Sequence, residues 1–228
     1  GKRVLFDNQL REPQQAEKFQ AAAHQYGVAV PSMAMSGFFA QSFLTRDNYQ
    51  DLLKDCFLTM KLFGSKVAFL PLGGSGKDWQ QEGCAAYQQM VSRLRTAGEM
   101  AKQEGITIGI RTGMDAKFDK KLLKKVGSSQ IKIYYNFQDA ADHHRDICKE
   151  LRKLGAQRIV QIHASNTDSV NLQEDPEINL PKIRKTLDKM KWSGWLVVER
   201  SRDVKRVRDV KYNFGRNIAY LKQVFQER

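Results

Sequence analysis

Several features that mark large protein classes are missing from this chain. No apolar run approaches the roughly 20 residues that a membrane-spanning helix requires, so no such span is expected. The three cysteines (Cys56, Cys84 and Cys148) are odd in number, far apart and without metal-type spacing. They offer neither a disulfide framework nor a cysteine metal site. Cys56 and Cys148 stand among apolar residues in helical patterns and are expected to be buried. No dinucleotide fingerprint follows the first strand, which argues against an open doubly wound sheet. No linker, low-complexity stretch or domain break is visible, and no leader pattern opens the chain. The expectation is a soluble chain, cytoplasmic, or periplasmic or secreted if a leader has been removed.

What is present is ordinary globular material. The 228 residues suit one substantial domain, read here as 1–228, and 41% hydrophobic with 10% aromatic residues supply a core. The net charge of +13 is the outlying value. Such basicity can mark a partner that is a nucleic acid or an anionic substrate. Here Lys and Arg are spread over 120–125, 145–153, 182–191 and 200–211, so most are read as solvated helix faces.

Short apolar runs at Arg3–Phe6, Val28–Ser32, Val67–Leu70, Ile106–Ile110, Ile131–Tyr135, Ile159–Ile162 and Trp195–Val198 alternate with longer stretches of helical period. Those stretches are Pro13–Tyr26, Asn48–Phe63, Ala85–Glu104, Lys117–Val126, Ala140–Leu154, Leu180–Met190 and Asp209–Phe225. Strands and helices in this alternation build a parallel sheet from βαβ units. Gly27, Gly64, Gly105, Gly155 and Gly194 stand between helix and strand, where left-handed C-caps belong. Polar residues recur at strand ends, as in a closed (β/α) TIM barrel. Seven strands are read where a full barrel has eight, so the first βα unit is expected to be missing. The exposed strand edges of an open barrel could be covered by pairing as a homodimer.

Side chains alternate between the faces of a strand. If Ile106, Ile108 and Ile110 pack outward on helices, Arg111 points inward. If Ile131, Ile133 and Tyr135 face out, Lys132, Tyr134 and Asn136 face in. The same rule turns Gln161 and His163 inward on one strand, and Val197 and Glu199 inward on the last. Arg111, Asn136, His163 and Glu199 thus end four consecutive strands and are expected to share one pocket.

With those strands in view the chain resembles the xylose-isomerase-like barrel family of sugar phosphate isomerases and epimerases, whose superfamily includes the endonuclease IV type of repair enzyme. The likeness rests on Glu104-Gly105-Ile106-Thr107-Ile108-Gly109-Ile110, Ile131-Lys132-Ile133-Tyr134-Tyr135-Asn136, Leu154-Gly155 with Ile159-Val160-Gln161-Ile162-His163, Gly194-Trp195-Leu196-Val197-Val198-Glu199-Arg200-Ser201, and the closing helix with Asn213, Asn217 and Tyr220-Leu221-Lys222. It covers essentially the whole chain. It implies a divalent metal held by Glu, Asp, His and Glu, but the corresponding residues are Arg111, Asn136, His163 and Glu199. A guanidinium only donates hydrogen bonds, and an amide oxygen is neutral. The Lys-Asp pair that often follows the family's His is replaced by Ser165 and Asn166.

The expectation is therefore no cofactor, with a weakly held Mn²⁺, Mg²⁺ or Zn²⁺ on His163 and Glu199 as the alternative. Arg111 is read as a substitute cation, Glu199 as base or partner, and His163 as general acid/base or donor. The competing reading has Arg111 merely neutralising Glu199 in a degenerate site. Asn136, Arg111, Trp79 and Lys132 are the candidate substrate-binding residues. Trp79 would stack on a sugar ring or pack in the core. Gly73-Gly74-Ser75-Gly76-Lys77 could cradle a phosphate, though it lacks the P-loop spacing and a flexible loop is the plainer reading. His143-His144 could rim the pocket or sit exposed at a helix start, and Asp139 could restore a carboxylate. Three functions compete: a sugar or sugar-phosphate isomerase or epimerase, a non-catalytic carbohydrate or polyol binder, and last a repair nuclease. The nuclease type needs several metals and many His ligands, and the chain has four His.

Overall fold

The computed structural model describes residues 7–76 and 78–227. The strand expected at Arg3–Phe6 and the loop residue Lys77 lie outside the described residues. Six strands fall within them: β1 (Ser32–Ala34), β2 (Val67–Pro71), β3 (Thr107–Arg111), β4 (Ile131–Asn136), β5 (Ile159–His163) and β6 (Trp195–Val197). The α-helices are α1 (Pro13–Gln25), α2 (Tyr49–Phe63), α3 (Ala85–Gln103), α4 (Ala116–Val126), α5 (Phe137–Ala141), α6 (Ile147–Leu154), α7 (Leu180–Lys189) and α8 (Val210–Phe225). The fold is α/β with parallel strands, as the alternating pattern required. By compactness the chain divides into two units, Gly1–Thr112 with Leu122–Lys132, and Gly113–Lys121 with Ile133–Arg228.

In the first unit β1, β2 and β3 pair in parallel, Ala34 beside Phe69 and Phe69 beside Gly109. The strand expected at Val28–Ser32 begins later, because Pro31 has no N–H for a ladder. Ile108 and Ile110 are fully buried, and the core of this unit also includes Leu70, Met90 and Leu94. Phe43 packs edge-on against Phe38 and Tyr49, at 5.4 and 5.3 Å between centroids. The Arg93 guanidinium lies 4.4 Å above the Tyr49 ring.

Gly98, within α3, is a point of close approach. A Cβ there would stand 2.3 Å from Ser128 Oγ and 2.8 Å from Ser128 Cβ. Rotating the serine hydroxyl relieves only the first clash. Gly98→Ala should therefore destabilise by about 1–3 kcal/mol through overpacking, which outweighs or cancels the helix propensity gained of up to about 1 kcal/mol. Adding Ser128→Gly removes both clashing atoms. In urea melts the double variant should recover the loss; if it does not, the clash is not the cause.

In the second unit β4, β5 and β6 pair in parallel, with Asn136 beside His163 and His163 beside Val197. The expected helix Ala140–Leu154 is two helices, α5 and α6. Between them His144 turns left-handed at φ 51°, and Asp146 caps α6 by accepting the Lys149 N–H. Gly64 is left-handed at φ 66° after α2, the C-cap read for it. Gly194 is not: Lys191, at φ 53°, takes the left-handed position after α7. Gly194 instead lets Trp192 close over the chain, since a Cβ there would lie 2.6 Å from its ring. Trp192 in turn donates from Nε1 to the Ile159 carbonyl at 2.9 Å.

Candidate functional site

The site is built at the carboxyl end of β4 and β5. Their register shifts by one residue: Ile133 pairs with Ile159, but Tyr134 pairs with Gln161. Carried on without the shift, Asn136 would stand beside Ile162, on the wrong face for His163. A one-residue slip exchanges faces. The irregularity therefore brings Asn136 level with His163, a re-aiming that bulges near sites commonly perform.

Asn136 also starts α5, and its Oδ1 accepts the Gln138 N–H at 2.8 Å. That cap fixes which way the amide points. Its Nδ2 then faces His163 Nδ1 at 3.5 Å. An amide NH₂ can only donate, so this contact wants Nδ1 as an acceptor and the imidazole proton on Nε2. Glu199 Oε2 stands 3.8 Å from the same Nδ1 and is a charge partner when the ring is protonated. The Tyr134 ring packs on the imidazole at 4.5 Å between centroids. His163 is buried, with only 8% of its side chain exposed, whereas 48% of the Glu199 side chain is open. A buried imidazole with two alternative partners on one nitrogen, beside an open carboxylate, is an arrangement that can accept and return a proton.

The loops that follow β5 and β6 are stitched together alongside this trio. The Glu199 N–H reaches Ser165 Oγ at 3.4 Å, and the Asn166 N–H donates to Ser201 Oγ at 2.7 Å. Arg202 clasps both carboxylate oxygens of Asp168, its Nε at 2.9 Å from Oδ1. Ser169 and Asp203 form a parallel bridge. Hydrogen bonds and the charge of Arg202 hold the Asp168 carboxyl below its ordinary range, against the effect of burial. A depressed folded pKa adds stability above the ordinary carboxylate range and loses it as pH falls through the depressed value. Asp168→Asn should thus lower the melting temperature at neutral pH, with the gap to wild type closing as the pH is lowered into the acid range. Parallel curves down to low pH would show that the pair contributes nothing.

The family model for xylose isomerase-like TIM barrels matches residues 4–224. The chain belongs to that family. Among solved structures, 3-keto-D-glucoside 4-epimerase of E. coli is similar at a TM-score of 0.74 and 12% identity, over 92% of this chain and 85% of that one. D-psicose 3-epimerase of Clostridium cellulolyticum H10 gives 0.74 and 14%, over 92% and 83%. A sugar phosphate isomerase/epimerase of Parabacteroides distasonis gives 0.71 and 15%, over 91% and 75%. At these identities the likeness shows the fold. Among curated proteins the sequence finds no match.

Of the site residues read from this xylose isomerase-like sequence, Asn136, His163 and Glu199 come together in the second unit. Arg111 ends β3 in the first unit, half-buried, in register with Pro71. Lys132 is half-buried on β4. Trp79 is fully buried on a single turn of 3-10 helix, Asp78–Gln80, so core packing is the role that describes it. His143 and His144 lie exposed in the turn after α5, with His143 Nδ1 2.8 Å from the Asp139 carbonyl. Gly73–Ser75 forms a further 3-10 turn. Cys56 and Cys148 are buried, and burial pushes the Cys56 thiol up to about 12. A cavity of about 370 Å³ beside β1, lined by Met33, Met35, Asn8 and Asp55 among others, contains none of the residues singled out for chemistry. The reading of the sequence missed Tyr134 as the ring beneath His163 and the asparagine-rich anchoring of the last loop. A signal for the second was present: Asn213 and Asn217 are one turn apart on one face of a helix.

No helix among the described residues is long and apolar enough to cross a membrane.

Proposed function

We propose that this barrel moves a proton beside the carbonyl of a sugar, as an isomerase or epimerase does, with Glu199 as base and His163 as its acid partner. The observation that carries this reading is the open Glu199 carboxylate 3.8 Å from a buried imidazole. A proton on the carbon next to the carbonyl passes to the carboxylate, and the electron pair left behind forms an enediolate. The Asn136 contact favours a proton on His163 Nε2, and that N–H can donate to the developing oxyanion. Return of the proton to the neighbouring carbon, as the hydroxyl proton passes from one enediolate oxygen to the other, completes an isomerisation; an epimerisation instead takes its new proton from water on the opposite face. The similar structures named for 3-keto-D-glucoside and D-psicose epimerases support a sugar as the substrate class.

The reading is metal-independent. In its support, an Arg and an Asn stand where the family has carboxylates, and the Asn136 oxygen already accepts the Gln138 N–H. Calorimetric titration with Mn²⁺ tests this: micromolar binding that disappears in His163→Ala would overturn it.

The activity test is incubation with D-psicose, D-tagatose and L-ribulose in D₂O containing EDTA, read by proton NMR. The expected result is loss of the signal from the proton beside the carbonyl. The same substitutions also favour a second reading, a polyol binder without turnover. That reading predicts sugar-dependent thermal stabilisation with no exchange at all.

A further inference from the structure

The aim of Glu199 needs an explanation. Its side chain is about half open, its one charge partner among the described residues is His163, and β6 ends two residues before it. Among the described residues no hydrogen bond holds the carboxylate itself in place, so its direction is set by its backbone. On the far side of Glu199 the chain is fixed at Ser201. This residue is fully buried and left-handed at φ 72°, a conformation that a serine keeps only when its surroundings impose it. Here they do. The Ser201 carbonyl accepts from Asn217 Nδ2 at 2.7 Å and from Asn171 Nδ2 at 3.2 Å. Its Oγ accepts the Asn166 N–H at 2.7 Å. Asn217 is itself held, its Oδ1 accepting the Leu172 N–H at 2.9 Å. Asn213, one turn earlier on α8, binds the same strap. Its Oδ1 accepts from Asn171 Nδ2 and the Asp203 N–H, and its Nδ2 donates to the Arg206 and Asp209 carbonyls. Asn213 and Asn217 are both buried, so a helix face that should be apolar carries two amides whose bonds all go to this loop and its neighbour.

We infer that Asn217 and the left-handed Ser201 are positioning residues, which turn the chain after β6 so that Glu199 faces His163. The inference rests on the reading of Glu199 and His163 as the acid–base pair, but its test needs no turnover. With four histidines in the chain, ¹⁵N-histidine labelling gives a short spectrum in which His163→Gln identifies the His163 ring nitrogens. Glu199→Gln sets the scale, as the change in those nitrogen shifts when the carboxylate is lost at one fixed pH. Asn217→Ala keeps Glu199 yet is expected to move the His163 shifts in the same direction, by at least half that amount. Ser201→Gly, which takes the left-handed turn freely and keeps the carbonyl anchor, should leave them at the wild-type position. Ser201→Val, unable to hold that turn, should move them.

A folded Asn217→Ala protein with a lowered melting temperature and wild-type His163 shifts would overturn the inference and reduce the clamp to a stabilising one. Should Asn217→Ala fail to fold, Asn171→Ala removes the other donor to the Ser201 carbonyl and is read the same way. If no sugar proton exchanges but the shifts move as expected, the sugar reading fails and the positioning role stands. If the sugar proton exchanges and the shifts stay put, the reverse holds.

Discussion

In the Glu199→Gln variant, exchange of a sugar's carbon-bound proton with solvent deuterium is expected to fall by about 10²–10⁴-fold, the usual range for a positioned acid or base. The substitution is close to isosteric, and the glutamine amide can neither accept the carbon-bound proton nor bear the charge that pairs with an imidazolium. The backbone contact to Ser165 uses the Glu199 N–H and survives the change. Because about half of the side chain is open, stability should stay within about 0.5 kcal/mol, as for other surface substitutions. Loss of exchange without loss of fold is therefore the expected pair of results, read by NMR in D₂O and by a thermal melt. A variant that exchanges as fast as wild type would remove Glu199 from the chemistry.

The largest expected effect on stability lies elsewhere in the second unit. Glu150 is buried on α6, and its two oxygens are both used. One accepts the Ala116 N–H at 3.1 Å with Arg145 Nε at 3.6 Å, and the other accepts the Tyr135 hydroxyl at 3.0 Å. Burial first, then the Glu150 charge and hydrogen bond, push the Tyr135 hydroxyl well above its ordinary range, so it stays a donor. Truncation to Glu150→Ala strands two hydrogen-bond donors and removes the carboxylate 3.6 Å from Arg145 Nε, a cation with only 19% of its side chain exposed. Removing one partner of a buried pair costs about 3–5 kcal/mol. The exposed Arg184–Asp188 pair on α7 has similar chemistry, but water competes for it, and Asp188→Asn should cost at most about 0.5 kcal/mol. Urea unfolding of the two variants at unchanged slope checks the ranking. Equal losses would mean that burial contributes nothing to the Glu150 cluster.

Much of the architecture was legible because it depends on local period. Helix boundaries such as Asn48–Phe63 and Asp209–Phe225 match α2 and α8 to within a residue, since an amphipathic repeat and its caps are written in neighbouring positions. The burial of Ile108 and Ile110 on β3 follows from their apolar alternation. Where the reading slipped, a distant or special contact decided. The left-handed turn of His144 split one expected helix into two. Pro31 delayed β1. Gly194 answers to the Trp192 ring and not to the end of a helix.

The sequence by itself determined the parallel α/β fold, the family, and the residue types at the strand ends, because strand alternation and short motifs are properties of adjacent residues. Only the tertiary structure decided that Asn136 and His163 stand level, since that depends on a register shift between two strands whose hydrogen bonds join residues far apart in the chain. It alone decided that Trp79 is sealed in the core and that two asparagines on the last helix grip Ser201. Pairing register, burial and long-range amide bonds arise from how separate segments pack, and no window along the chain contains both partners.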